Sequence, residues 1–311
     1  MKEKLVVIVG PTAVGKTKMS VELAKALNGE IISGDSMQIY RGMDIGTAKI
    51  THEEMQGIPH YLIDIKDPTE PFSVAEFQER SRKLINEINK RGKVPIIVGG
   101  TGLYIRSVTH HYEFSSAGYD ENYRAELEAY AKEHGADKLH ERLKNIDPES
   151  GKRIHPNNIR RVIRALEIHH VTGNTMTEKL NAQETEHVYD DCIIGLTMER
   201  ELLYERINKR VDEMIRLGLV DEAKRLYDRG VQNCQSVQAI GYKEIYSYLK
   251  GEVTLETAIE LLKRNSRRYA KRQFTWFKNQ MDVKWFDMTD LKFYEKFKEI
   301  RHYIEGKLNL L

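Results

Sequence analysis

The chain has only two cysteines in 311 residues, Cys192 and Cys234, and they form no C-x-x-C pair. That excludes a disulfide framework and points to a reducing compartment. Neither sign of charge is in excess, with 49 Lys and Arg against 47 Asp and Glu. Any nucleic-acid binding must therefore come from local basic clusters. No apolar run approaches the roughly 18 residues of a membrane span. The first apolar strand begins at Leu5, so no cleavable signal is expected. The expectation is a cytoplasmic protein with no membrane partner. The histidine pairs His110-His111 and His169-His170 lack metal-ligand spacing, so no zinc site is read. There is no internal repeat and no low-complexity tract. The length allows one large domain, or a core with an insertion, and the composition is that of a globular enzyme.

What is present is organised around the first strand, LVVIV at Leu5 to Val9, and the loop after it. Gly10-Pro11-Thr12-Ala13-Val14-Gly15-Lys16-Thr17 matches G-x-x-x-x-G-K-[ST] between a strand and a helical pattern, the context that motif requires. Gly10 and Gly15 let backbone N–H groups close around phosphate oxygens at the positive end of a helix. Lys16 adds a point charge, and the Thr17 hydroxyl can ligate Mg²⁺. The loop grips a di- or triphosphate, without saying which.

A second strand, Glu30 to Ser33, runs into the polar loop Gly34 to Lys49. In open α/β sheets ligands bind at that strand edge. Asp35 is placed to act as a general base or to hold a metal-bound water; capping a turn is the bland alternative. A third strand is expected at Leu62–Ile65, a helix at Ser73–Arg91, and a buried strand at Val94–Val98 that ends in Gly99-Gly100-Thr101-Gly102. An NTP-hydrolysing enzyme usually carries a metal-holding Asp there. Here glycines would let a substrate approach the backbone, and Thr101 offers a hydroxyl; a tight turn without ligand is the other possibility.

From about residue 113 to 187 the α/β alternation gives way to consecutive helices between polar stretches. This reads as an inserted all-helical lid between core segments 1–112 and 188–311. Its last long helix, Asn157 to Thr172, carries Arg160, Arg161 and Arg164, a candidate phosphate-contact cluster or else a solvated face. Beyond it, Arg206, Lys209 and Arg210 lie along a helix at 200–217, and another helix is read from Gln238-Ala239-Ile240-Gly241-Tyr242-Lys243. The second half of the helix at 254–278 (KRNSRRYAKRQFTWFK) has seven Lys and Arg and no acid. Basic and aromatic residues together suit RNA, although most of these aromatics are expected to pack in the core.

Taken together, GPTAVGKT at Gly10–Thr17, SGDSMQIYRGMDIGTAK at Ser33–Lys49, VGGTGLY at Val98–Tyr104, HPNNIRRVIRALEI at His155–Ile168, AIGYKE at Ala239–Glu244 and RRYAKRQFTWFK at Arg267–Lys278 resemble the tRNA dimethylallyltransferases over nearly the whole chain. The resemblance implies an α/β fold with a P-loop NTPase-like parallel sheet flanked by helices. It implies transfer of a dimethylallyl group from dimethylallyl diphosphate to N6 of the adenosine 3′ of the tRNA anticodon, position 37, with diphosphate released. The P-loop would then hold the diphosphate of the donor, with Mg²⁺ on Thr17, and nothing need be hydrolysed. By the same resemblance Asp35, Thr101 and Lys16 are catalytic and Arg210 lies near the diphosphate. The tRNA would be met by Asp35, Ser36, Met37 and Gln38, by Arg160, Arg161, Val162, Ile163 and Arg164, and by Gly241. A Gln such as Gln38 can pair with an adenine edge, and the base must flip out of its stack to be reached. There is no C-terminal Cys/His cluster of the kind some eukaryotic relatives carry as a zinc finger. The chain is expected to act as a monomer on the anticodon arm.

Two enzyme alternatives stay open: a small-molecule kinase whose lid arginines clamp a second phosphate, and an isopentenyltransferase acting on free AMP or ADP. An RNA-binding regulator without catalysis would be marked by a lost donor site, yet Gly15, Lys16 and Thr17 are all present.

Overall fold

A run of branched apolar residues makes strand β1 (Lys4–Val9), buried from Leu5 onward. Successive side chains point to opposite faces. Leu5, Val7 and Val9 therefore enter one core layer and Val6 and Ile8 the other. A strand apolar on both faces belongs in a parallel sheet covered by helices on both sides. The computed structural model describes residues 2–112, 120–181, 186–290 and 292–310. After β1 come α1 (Lys16–Ala26), β2 (Gly29–Ser33), the one-turn α2 (His52–Met55), β3 (His60–Tyr61), α3 (Val74–Lys90), β4 (Val94–Gly99) and α4 (Gly102–Thr109). Five helices follow among the described residues: α5 (Glu121–His134), α6 (Ala136–Ile146), α7 (Pro148–Arg153), α8 (Ile159–Thr172) and α9 (Met176–Asn181). The chain ends with β5 (Asp190–Thr197), α10 (Arg200–Arg216), α11 (Leu219–Asp228), α12 (Tyr242–Leu249), α13 (Leu255–Gln280), β6 (Lys284–Asp287) and α14 (Phe293–Leu308).

The strands pair in the order β3-β2-β4-β1-β5-β6, and every pairing is parallel. The chain steps from β1 out to β2 and β3 and returns to lay β4 beside β1. It then crosses to β5 and β6 on the other side. The strand order thus reverses at β1, where a crevice opens beyond the carboxyl ends of the strands. One sheet face is covered by α3, α4, α11, α12 and α13, through residues such as Phe77, Ile105, Leu226, Tyr242 and Phe277. The other is covered by α1, α10 and α14, through Leu23, Ile207 and Ile304. No helix of the described residues is long and apolar enough to cross a membrane.

Two compact units result: Met1–Thr109 with His187–Leu311, and His110–Glu186. The second unit has its own apolar core, built on Leu127, Leu139, Leu143, Val162 and Leu166. The buried carboxylate of Glu167 takes Arg124 Nε at 2.7 Å and also pairs with Arg164. The buried Asp147 caps α7 through the Ser150 N–H and accepts the Thr177 hydroxyl at 2.6 Å, linking α7 to α9.

Three local readings are corrected. The third strand is His60–Tyr61 rather than Leu62–Ile65, because Leu62 and Asp64 take left-handed φ values of 61° and 55°. That bend turns the Asp64 and Ile65 N–H groups onto the carbonyls of Gln38 and Ile39. The helix read from Gln238 begins only at Tyr242, after Gly241 at φ 108°. The polar stretch from Gly173 contains α9, whose Thr175 and Glu178 cap each other's N–H groups. Residues 113–119 and 182–185 of the polar flanks lie outside the described residues.

Candidate active site

Three loops meet beyond the carboxyl ends of the adjacent strands β1, β4 and β2. The register sets Val9 beside Gly99 and Val98 beside Ser33, so the strands end level. The approach of the β2 and β4 loops is very close. A Cβ on Gly99 would stand 2.3 Å from the Gly34 carbonyl oxygen, so only glycine fits there. This brings Asp35 and Ser36 against Thr101, whose Oγ1 accepts the Ser36 N–H at 3.3 Å. Gly99 and Gly100 also line the cavity over these loops, and the neighbouring glycines make room for packing within the protein as well. A Cβ on Gly100 would collide with Gln273, and one on Gly102 with the Trp276 ring.

A cavity of about 660 Å³ opens over these loops. Thr12, Ala13, Gly15, Lys16 and Thr17 line it from the P-loop, Asp35 and Gln38 from the β2 loop, and Arg206, Lys209 and Arg210 from α10. Gly10, Pro11 and Val14 do not line it; Val14 packs into the core beneath. Lys16 Nζ donates to the carbonyls of Gly10 at 2.9 Å and Pro11 at 2.7 Å. Burial, and then the Arg210 guanidinium, push the Lys16 ammonium down to about 7, while Asp35 pulls it up. Arg210 is lowered by burial as well. An anion set between these two cations would oppose both shifts. Burial raises the Asp35 carboxyl, opposed by the Met37 N–H, which donates to its Oδ1 at 2.8 Å, and by Lys16.

A second cavity, of about 300 Å³, shares Thr12, Asp35, Thr47, Ala48, Arg210 and Tyr269 with the first. Its remaining wall includes Ser36 and Met37, Gly46, the segment Gln238–Ile240 with Lys243, and Ser266 and Arg272 of α13. Asp35 therefore stands where the two cavities meet.

The other expected site residues are more scattered. The Gln38 amide is occupied within its own loop, donating to the Thr47 and Ala48 carbonyls at 3.3 and 3.4 Å and meeting Ser33. Gly241 lines neither cavity; its N–H donates to Glu244, and it abuts Gly46. Within the helical unit Arg160 and Arg161 are exposed, whereas Arg164 is tied to Glu167. Val162 and Ile163 are buried in that unit's core, so their side chains are not presented to a ligand.

Two positions that line the cavity are not evident from the sequence. Gln273 Oε1 accepts the Thr12 N–H at 2.9 Å and its Nε2 donates to the Gly100 carbonyl at 3.1 Å, joining the P-loop to the β4 turn. Tyr269 lines both cavities, and burial pushes its phenol up to about 12, with Thr101 and Gln273 pulling it down. The signal was their four-residue spacing, which puts both on one helix face. The basic residues around them masked it. The remaining aromatics of that stretch are packing groups: Phe277 is fully buried, and Phe274 leans on Trp285 at 5.0 Å.

The IPP transferase family model matches residues 38–280. A tRNA dimethylallyltransferase of Halalkalibacterium halodurans is 64% identical over 309 residues, 99% of this chain and 98% of the relative. One from Anoxybacillus flavithermus is 64% identical over 310 residues, with the same coverage. Among solved structures, a full-length tRNA isopentenylpyrophosphate transferase from Bacillus halodurans is 62% identical. It covers 99% of this chain and 97% of its own, with a TM-score of 0.76. A eukaryotic dimethylallyltransferase acting on tRNA gives a TM-score of 0.83 at 32% identity, covering 96% of this chain and 77% of its own.

Proposed function

The chain belongs to the tRNA dimethylallyltransferases, prenyltransferases with a P-loop NTPase-like fold, and we propose that it alkylates N6 of the adenosine 3′ of the anticodon, position 37, with dimethylallyl diphosphate as donor. One observation carries this reading: Asp35 stands between a cationic cavity and a second, smaller one. The donor's diphosphate lies on the P-loop in the first, and the flipped adenine enters through the second.

In the reaction the bond between the allylic carbon and the diphosphate oxygen breaks and a carbon–nitrogen bond to N6 forms. The charge that grows on the leaving diphosphate is met by P-loop N–H groups, Lys16 and Arg210. The N6 lone pair is delocalised into the ring, so removing its proton matters. That proton passes to Asp35, whose buried carboxyl is more basic than usual. Thr101, held between Ser36 and Tyr269, orders the reacting centre.

Mg²⁺ suits the site on the chemistry of its donors. The described residues hold no cluster of three metal-ligating side chains. The ion would therefore sit on the Thr17 hydroxyl and be completed by diphosphate oxygens and water. When bound, it would draw negative charge from the leaving group. On the RNA side, Arg160 and Arg161 would meet backbone phosphates. We read the protein as a cytoplasmic monomer, in keeping with its free thiols.

The test mixes protein, Mg²⁺, unmodified tRNA and radiolabelled dimethylallyl diphosphate, with AMP as rival acceptor and ATP as rival donor. Label in tRNA adenosine alone supports the proposal. Label in AMP moves the enzyme to free nucleotides, and phosphate transfer from ATP makes it a kinase.

A further inference from the structure

The loop that separates the two cavities, Gly46 to Ala48, has no regular structure of its own. What holds it is a carboxylate from a distant part of the chain. Glu222, in the first turn of α11 and 3% exposed, accepts the Asp44 N–H at 3.0 Å, the Ile45 N–H at 3.0 and 3.1 Å, and the Gly46 N–H at 3.0 Å. It also accepts the Tyr242 hydroxyl at 2.5 Å. Three consecutive backbone donors and a phenol thus converge on one buried carboxylate, a set of charge-assisted bonds stronger than neutral ones. The Tyr242 ring fills the space a Cβ on Gly46 would need, at 2.5 Å, so loop and helix interlock. The far end of the loop is tied by Lys49, which reaches Asp44 Oδ1 at 2.5 Å, Asp64 at 2.6 Å and the Tyr40 carbonyl at 2.7 Å. Between these two anchors the Thr47 and Ala48 carbonyls face outward to the Gln38 amide.

We infer that Glu222 is a positioning residue for the transfer reaction: by gathering the Asp44–Gly46 amides it fixes the Gly46–Ala48 wall of the smaller, acceptor cavity, and the Thr47 and Ala48 carbonyls of that wall hold the Gln38 amide at the edge of the larger one. It touches neither cavity and acts only through the loop. Tyr242 supports this role, since burial and the adjacent Glu222 hold its phenol protonated and hence a constant donor. The role presupposes the tRNA reaction proposed above.

The test replaces Glu222→Gln, which keeps the shape but turns one acceptor into a donor facing N–H donors. In the full chain the amides of residues 44–46 should exchange faster while those of β1 keep their protection. The kcat/KM for tRNA should fall about ten-fold, with KM for the donor changed by less than about two-fold. In a Gln38→Ala background the same substitution should cost much less, because both changes act on one element. Tyr242→Phe, which removes a single donor, should give a loss of about three-fold in the same direction and stands in if the glutamine variant does not fold. Unchanged exchange at 44–46, full additivity with Gln38→Ala, or equal losses for both substrates would each overturn the assignment. A wild-type enzyme that alkylates no tRNA overturns the reaction and this role together, and is recognised before any variant is made.

Discussion

The two cavities that meet at Asp35 differ in how many cationic side chains line them. The larger has several walls, but its positive charge is gathered at two places: Lys16 and Lys18 just after β1, and Arg206, Lys209 and Arg210 on one stretch of α10. The smaller is lined by Thr12 and by residues 35–37, 46–48, 207–214, 238–243 and 262–272, with apolar side chains such as Met37, Ile207, Val211 and Leu262 among them. Gathered positive charge suits a ligand with fixed, compact charge such as a diphosphate. A wall with fewer cations and several apolar side chains suits a ligand with shape and edges, such as an unstacked base. The difference teaches where binding energy is concentrated. On the proposed donor side it would rest on a few charges, and on the proposed acceptor side it would be spread over hydrogen-bonded loops.

The largest effect expected is at Lys16. Lys16→Met should cut kcat/KM for dimethylallyl diphosphate by about 10³-fold while tRNA affinity by filter binding stays within about two-fold, since only the donor side loses its point charge. Equal losses on both sides would erase the distinction between the cavities. The same residue makes a stability prediction. Its folded-state value is depressed to about 7, so between there and the ordinary lysine value of roughly 10.4 the unfolded chain binds the extra proton. Stability from this group therefore rises with pH across that window and is lowest below it. Lys16→Met should then melt higher than wild type at pH 6, with the gain shrinking toward pH 10. Inorganic diphosphate should raise the melting temperature of wild type and not of the variant.

Arg210→Gln comes next, because Arg210 lines both cavities. It should lower kcat by about 10²-fold and, unlike Lys16→Met, weaken both substrates measurably in titration calorimetry. A donor-only effect would confine Arg210 to the diphosphate. Smallest is Arg161→Gln in the helical unit. It should weaken tRNA binding uniformly and reduce the slope of log K against log salt by about 0.9 per lost phosphate contact. Arg164→Gln should instead lower thermal stability, because it leaves Glu167 with one cation fewer.

The same contrast explains what could be read from the sequence. The P-loop and Asp35 were legible because their chemistry lies in adjacent residues just after apolar strands. The parallel sheet was legible because β1 and β4 are apolar on both faces. Gln273 and Tyr269 were not, because a buried polar group on a basic helix looks like its solvated neighbours until the helix is laid across Thr12 and Gly100. Glu222 was hidden for the same reason: its backbone partners lie some 176 to 178 positions away. The glycines at 99–102 were visible, but their cause was not. The space they leave is taken by Gly34, Gln273 and Trp276. Leu62–Ile65 is apolar enough for a strand, yet two left-handed residues turn it aside.

The measurement that bears most directly on the account is a single-turnover alkylation by Asp35→Asn with both substrates saturating, alongside separate equilibrium titrations of donor and tRNA. A group at the junction that takes the N6 proton predicts a fall of about 10²-fold or more in the chemical step, with each dissociation constant within about three-fold of wild type. A normal rate at saturation with weakened tRNA binding would contradict it, leaving Asp35 as a contact to RNA and the chemistry without its base.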